Sequence, residues 1–286
     1  MNRDTRVVGD ELEAYRVSAQ MPADPVENKI HEDALAQAMG FRGGLVPGVT
    51  VYAWMTHPIV EALGTAWLER GTFSARFAKP VYFGEDVDVR ATMVERTEAS
   101  MTFQVRVVDG RGETCATATL GLPRESPRGT PVVSTYPVAP LPDERPLVSR
   151  TLLASRSVLG TPELMLDEAA AQAFLERVRE PLAIYREAGG PAHPGLYLDL
   201  ANRTLNRNVR VSPWIHVESQ GRHLSVARVG ERIEARAKVA GLFERKGHEF
   251  VELDILLVAE GARPIASIRH VAIYQLRGAA EASAAS

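Results

Sequence analysis

The chain carries a single cysteine, Cys115, among 286 residues. That excludes an internal disulfide and any metal site built on cysteine pairs, and it suits a reducing compartment. Charge of one sign is not bunched: 33 lysines and arginines stand against 36 aspartates and glutamates, a net charge of −3. Nucleic acid is therefore a poor partner. Long apolar runs are missing too, and none approaches the roughly 20 residues that a membrane helix needs. The polar start Met1-Asn2-Arg3-Asp4-Thr5-Arg6 leads into no apolar core of signal-peptide length. The expected location is the cytoplasm, with no membrane partner. Neither a Gly-x-Ser-x-Gly elbow nor a phosphate-binding loop is found. The histidines show no metal-ligand spacing, so neither a metal nor a cofactor is expected.

What is there has the make-up of a globular protein, 45% hydrophobic and 24% charged, with length for one large domain or two ordinary ones. Residues 12–20 can form a first strand. Met21-Pro22-Ala23-Asp24-Pro25 is a turn, because its prolines fix φ and remove donors. Residues 31–39 read as a short helix with Asn28 as cap and Gly40 as its end. A glycine-rich bend, Gly40-Phe41-Arg42-Gly43-Gly44-Leu45-Val46-Pro47-Gly48, leads into the most apolar stretch of the chain. From Pro47 onward, Val49, Val51, Tyr52, Trp54, Met55, Ile59, Val60, Leu63, Trp67 and Leu68 keep helical spacing on most sides, the pattern of a buried helix. Pro47 suits a first helical position, and Pro58 is expected to kink or break the helix into two pieces. Strands follow at 73–81, 87–94, 101–108 and 114–122, the third closed by the hairpin signal Asp109-Gly110-Arg111-Gly112.

Prolines at 123, 127, 131, 137, 140, 142 and 146 mark an extended, poorly packing connector. Beyond it the chain repeats itself. His193-Pro194-Gly195-Leu196 echoes Val46-Pro47-Gly48-Val49, and Val229-Gly230-Glu231 echoes Phe83-Gly84-Glu85. Gly195 lies 147 residues after Gly48, and Gly230 lies 146 after Gly84. A helical stretch at 167–186 precedes the second apolar helix, and strands follow around Ile215-His216-Val217 and at 233–239, 249–258 and 264–276. The expected organisation is a first half over 1–122, a linker over 123–148, a second half over 149–277 and a disordered tail over 278–286. A helix followed by four strands, twice, predicts an α+β fold, with an antiparallel sheet curled around a central helix in each half. The halves should pair and enclose sites at their interface, and two such chains can pair again as a homodimer.

At this point the sequence resembles the hotdog superfamily. Within it, the chain is similar to the MaoC-like group of (R)-specific enoyl-thioester hydratases and dehydratases, as a double hotdog. The matching residues are Asn28, Ile30, His31, Asp33 and Ala36, the helix start Gly44-Leu45-Val46-Pro47-Gly48, and the run Phe77-Ala78-Lys79-Pro80-Val81-Tyr82-Phe83-Gly84-Glu85-Asp86. The hydratase motif reads Asp-x-Asn-Pro-x-His, and its Asp and His act on the water and the α-proton. Asn28 and His31 fall on its Asn and His, Lys29 replaces the proline, and Val26 stands where the catalytic Asp belongs. The helix start is Val46-Pro47-Gly48, where those hydratases usually have Ala-His-Gly. In the second half the position of His31 is near Val178, so the dyad is absent there.

The resemblance implies an acyl thioester on CoA or an acyl carrier protein as substrate. Elimination of a β-hydroxyl needs a base for the α-proton, a donor for the leaving hydroxyl, and stabilisation of the enolate oxygen. Backbone N–H groups at Gly48 and Val49, backed by the helix dipole, can supply the last. His31 titrates in the right range to be base or acid. A second group can come from Glu27, Asp24 or, across the halves, His216 on the alternating run Ile215-His216-Val217. Helix capping in a degenerate site is the plainer role for His31. The candidate site is thus Asn28, His31 and Glu27 for catalysis, with Gly48, Val49 and His216 for substrate. The other histidines read as structural: His57 as a helix-end residue, His193 without a nearby partner, and His223, His248 and His270 scattered along strands. Arg42 can reach a carrier phosphate, though an exposed arginine is the plainer reading. Thioester hydrolysis and acyl-thioester binding without turnover are the alternative functions.

Overall fold

The alternation read at 87–94 is a half-buried strand: Val87, Val89, Ala91 and Met93 point into the core, while Asp86 and Arg90 are exposed. The computed structural model describes residues 6–21, 28–126 and 128–277. The proline turn at 22–25 and the tail at 278–286 lie outside the described residues. The first half comprises β1 (Tyr15–Ser18), α1 (Asp33–Ala38), α2 (Gly48–Leu63), α3 (Thr65–Arg70), β2 (Thr72–Phe77), β3 (Asp86–Arg96), β4 (Ser100–Asp109) and β5 (Thr114–Pro123). The second comprises α4 (Arg150–Ser155), β6 (Val158–Leu159), β7 (Glu163–Met165), α5 (Glu168–Val178), α6 (Gly195–Asn206), β8 (Ile215–His223), β9 (Arg232–Arg245), β10 (His248–Ala259) and β11 (Arg263–Gln275).

All strands join one antiparallel sheet in the order β1-β3-β4-β5-β2-β8-β11-β10-β9-β6, with β7 also on β9. Read outward from its middle, the order is the same on both sides. The seam is the β2–β8 pair, in which Phe73 faces Gly221 and Arg76 faces Glu218. The central helices α2 and α6 pack against each other inside this curved sheet.

Two expectations about α2 need correcting. Pro47 is its N-cap, with φ −56° and ψ 136°, and Gly48 is the first helical residue. Pro58 does not divide the helix, which runs unbroken to Leu63 and stops at Gly64, where φ is +59°. A proline inside a helix costs about 3 kcal/mol. Burying a Val or Ile side chain returns roughly 1.5–3 kcal/mol each, and Ile59 and Val60, the next two residues, are both fully enclosed. Tertiary packing wins.

The connector is better packed than its prolines suggest. A 3-10 turn at Val133–Thr135 delivers Tyr136 into a small cluster with Leu256 and Val258, and its hydroxyl donates to the Asp254 carboxylate at 2.8 Å. One aromatic is enough to pin the segment across the outer face of β10.

Candidate active site

The start of α2 is held by backbone. Val46 N–H donates to Val81 O at 2.8 Å, and Leu45 bridges to Tyr82. The first helical bonds are Thr50 N–H and Val51 N–H to Pro47 O, at 2.9 and 3.1 Å. The N–H groups of Gly48 and Val49 therefore precede the ladder and sit at the positive end of a 16-residue helix. The Val49 side chain belongs to the core, so the substrate contact expected there rests on its amide alone.

Ahead of this, Lys29–His31 form a 3-10 turn anchored by Ile30, which packs with Ala36 and Leu45. Asn28 stands at the N-cap but makes no capping bond. Its Nδ2 donates instead to Trp214 O at 2.9 Å, and its Oδ1 accepts from Trp214 N–H at 3.4 Å. Both polar ends are thus committed to the second half. The capping bond expected of Asn28 is therefore not made. His31 is half-buried, with Nδ1 2.6 Å from Leu45 O. A carbonyl only accepts, so Nδ1 carries the proton and Nε2 keeps the lone pair. Desolvation pushes this imidazole below its ordinary pKa, partly opposed by the Leu45 bond, which keeps it neutral near pH 7.

The second half contributes His216. It is 6% exposed, and its Nδ1 lies 3.0 Å from where a Cβ on Gly48 would sit, so a side chain at 48 would press the imidazole back by a few tenths of an ångström. On its far side Nε2 is 2.8 Å from Ser219 Oγ, which is 2.8 Å from His270 Nδ1. The β8–β11 register, with Ser219 opposite His270, gathers these residues. Sequence spacing had left His270 isolated. Burial lowers both imidazoles, His270 to about 3.

The matching start of α6 holds a second cluster that sequence reading missed. Glu180, just past α5, is 2% exposed and lies 2.9 Å from His57 Nδ1 and 3.4 Å from His193 Nε2. Leu182 N–H also donates to it, at 2.9 Å. Burial raises this carboxyl, but the imidazole bonds outweigh burial and bring it down to about 2. His57 is therefore mid-helix and partnered, not a helix-end residue, and His193 has the partner it was thought to lack. Tyr15 stacks on His57 with ring centroids 3.8 Å apart. The amides here are already used: Gly195 N–H donates to His193 Nδ1 at 3.0 Å and Leu196 N–H to His193 O at 2.9 Å.

Glu27, like Asp24 and Val26, lies outside the described residues. Arg42 pairs with Glu85 at 2.8 Å and lies over the Tyr82 ring. Cys115 is buried and its thiol is pushed up to about 11, chiefly by desolvation, which disfavours a nucleophilic role. Among the described residues, no three His, Cys, Asp or Glu side chains are grouped to hold a metal, and no helix is long and apolar enough to cross a membrane. Open clefts of about 520 and 450 Å³ run along β1 and the segment before it, and neither is lined by the residues at the start of α2.

The family model described as the Thioesterase superfamily matches residues 71–116, from β2 into β5. No curated protein matches the chain. Among solved structures, it is similar to a protein of Chloroflexus aurantiacus provisionally named as a MaoC domain dehydratase, with TM-score 0.65 and 13% identity over 96% of this chain and 97% of that one. A conserved hypothetical protein from Mycobacterium tuberculosis, described as having a double hotdog fold, aligns with TM-score 0.65 and 13% identity over 94% and 96%. A provisionally named oleoyl thioesterase from Lactobacillus plantarum aligns with TM-score 0.55 and 12% identity over 94% and 98%. These likenesses establish the fold class, an α+β double hotdog.

Proposed function

We propose that the chain is an acyl-thioester enzyme of the MaoC-like type, a hydratase or dehydratase acting on CoA or acyl-carrier-protein thioesters, and that its chemistry lies at the start of α2. The observation that carries this reading is the difference between the two helix starts. At α6 the leading amides are occupied by His193, within the protein. At α2 the amides of Gly48 and Val49 precede the first helical bond, and His31, bonded to Leu45 three residues before Gly48, keeps its Nε2 as a base.

In the elimination direction, the thioester carbonyl oxygen accepts from the Gly48 and Val49 amides, which acidifies the α-carbon. His31 Nε2 takes the α-proton, the enolate collapses to the alkene, and the imidazolium returns that proton to the departing hydroxyl as water. Hydration is the reverse. Asn28 holds the turn that carries His31 at its distance from α2.

The test is His31→Ala with a panel of acyl thioesters followed by mass spectrometry. The expected result is gain or loss of water with the native protein and none with the variant, whose circular dichroism stays native. Unchanged turnover removes His31 from the mechanism. A second reading, thioester hydrolysis, is supported by the family match over 71–116 and by Val26, since one base suffices to activate water. Release of free thiol from a saturated acyl-CoA marks that outcome, and binding without turnover marks a non-catalytic acyl-binding role.

A further inference from the structure

His216 reaches the start of α2 as a buried imidazole with one nitrogen tied and one free. Nε2 is bonded to Ser219, whereas Nδ1, facing Gly48, has no partner among the described residues. At the far end of the chain His270 is in the mirror situation, with Nδ1 bonded to Ser219 and Nε2 unpartnered. Ser219 and His270 are both enclosed, at 1% and 0% exposure. Phe77 packs on the His216 ring at 4.6 Å and the His270 ring lies 4.3 Å away.

Ser219 has one proton to donate. If it donates to His270, His216 must donate Nε2–H to Ser219, and its Nδ1 shows a lone pair. If it donates to His216, Nδ1 carries the proton instead. The tautomers of the two histidines are thus coupled through one hydroxyl. The choice is made at the Gly48 end, where Nδ1 faces the positive terminus of α2. A lone pair is favoured there over an N–H. The α6 start behaves the same way, since His193 Nδ1 accepts from the Gly195 amide.

We propose that His216, held as the Nε2–H tautomer by Ser219 and His270, presents its Nδ1 lone pair as the acceptor for the substrate's β-hydroxyl or for the water that adds in its place. This rests on the function proposed above and gives His216 the water-side role that a carboxylate at position 26 would fill. Ser219 and His270 are positioning residues. His216 takes up no proton: the one removed from carbon by His31 leaves with the hydroxyl as water. Under the hydrolytic reading the same lone pair accepts from the attacking water.

The test begins without a substitution. Long-range ¹H–¹⁵N spectra of the ¹⁵N-histidine-labelled protein, assigned against His216→Asn, are expected to show His216 as the Nε2–H form with an unprotonated Nδ1. Ser219→Ala is expected to remove this single tautomer and lower kcat at least about tenfold, with KM changed much less. Should Ser219→Ala not fold, His270→Gln tests the same link from its other end. A protonated Nδ1 in the native protein overturns the proposal, as does an unchanged tautomer and kcat in a folded Ser219→Ala. These failures are distinct from failure of the functional reading, because they leave His31→Ala inactive.

Discussion

The roles proposed for His31 and Gly48 each rest on single atoms, and each yields a prediction. The Leu45 carbonyl fixes the proton of His31 on Nδ1, so the ring is a base only while Nε2 is unprotonated. Desolvation lowers its pKa below the ordinary 6.5, so protonation, and with it loss of activity, comes at lower pH than for a free imidazole. We expect kcat/KM to be flat through neutrality and to fall on the acid side with a midpoint below 6.5. A midpoint at or above that value would place the ring in solvent. Gly48→Ala separates packing from chemistry. Alanine gains helix propensity of up to about 1 kcal/mol, but its Cβ meets His216 Nδ1 at 3.0 Å and the imidazole must shift by a few tenths of an ångström. Denaturant stability should stay within about 1 kcal/mol of native while turnover drops at least about tenfold. Equal loss of both would mean that Gly48 matters only for packing.

Elements made of periodic apolar residues are legible in the sequence: β3, β4 and β5 fall within a few residues of where alternation puts them, and α2 begins where helical spacing begins. What was not legible depends on contacts across the two halves. Asn28 looks like a cap until Trp214 is known to lie beside it. Pro58 looks like a break until the helix around it is known to be enclosed. The Glu180–His57–His193 cluster has no local signature at all, since its members are separated by 123 and 13 positions and come together only where α2 crosses the segment between α5 and α6. This cluster is a junction between halves, and Glu180→Gln tests it. The amide cannot accept from three donors at once, so a buried imidazole or the Leu182 amide loses its partner. A cost of about 2–4 kcal/mol is expected, read as a lower urea midpoint with an unchanged slope. If the chemistry is at α2, kcat under native conditions changes less than about twofold. Loss of kcat without loss of stability would move the active centre to the start of α6.

At the scale of the whole molecule, folding encloses four imidazoles of the second half around one sheet and helix pair, and this has a consequence for acid. His193, His216, His223 and His270 are all held below the ordinary histidine value by desolvation, His223 at about 4 and His270 at about 3. As pH falls below about 6.5 the unfolded chain binds protons at these positions and the folded chain does not. Stability therefore decreases toward acid throughout that window and is independent of these groups above it. Glu180 adds to the same slope lower down, since its folded pKa is depressed from 4.5 to about 2 and its stabilisation is lost as pH falls through that range. Each histidine that stays neutral while its unfolded counterpart protonates contributes about 1.4 kcal/mol per pH unit. For His223 and His270 alone, neutral down to about 4 and about 3, the loss by about pH 4 is already comparable with a typical stability of roughly 5–15 kcal/mol. Cooperative acid unfolding with a midpoint above about pH 4 is expected by circular dichroism. His223 offers the cleanest check because it lies at neither helix start: it is bonded through Nδ1 to Trp67 O at 3.0 Å and packed against the Trp67 and Phe73 rings. In His223→Asn the amide can keep the Trp67 bond but cannot titrate, so urea midpoints measured from pH 7 to 5 should fall less steeply than in the native protein. Equal slopes in the two proteins would mean that the buried imidazoles are not held neutral, and that the acid side is governed by the carboxylates alone.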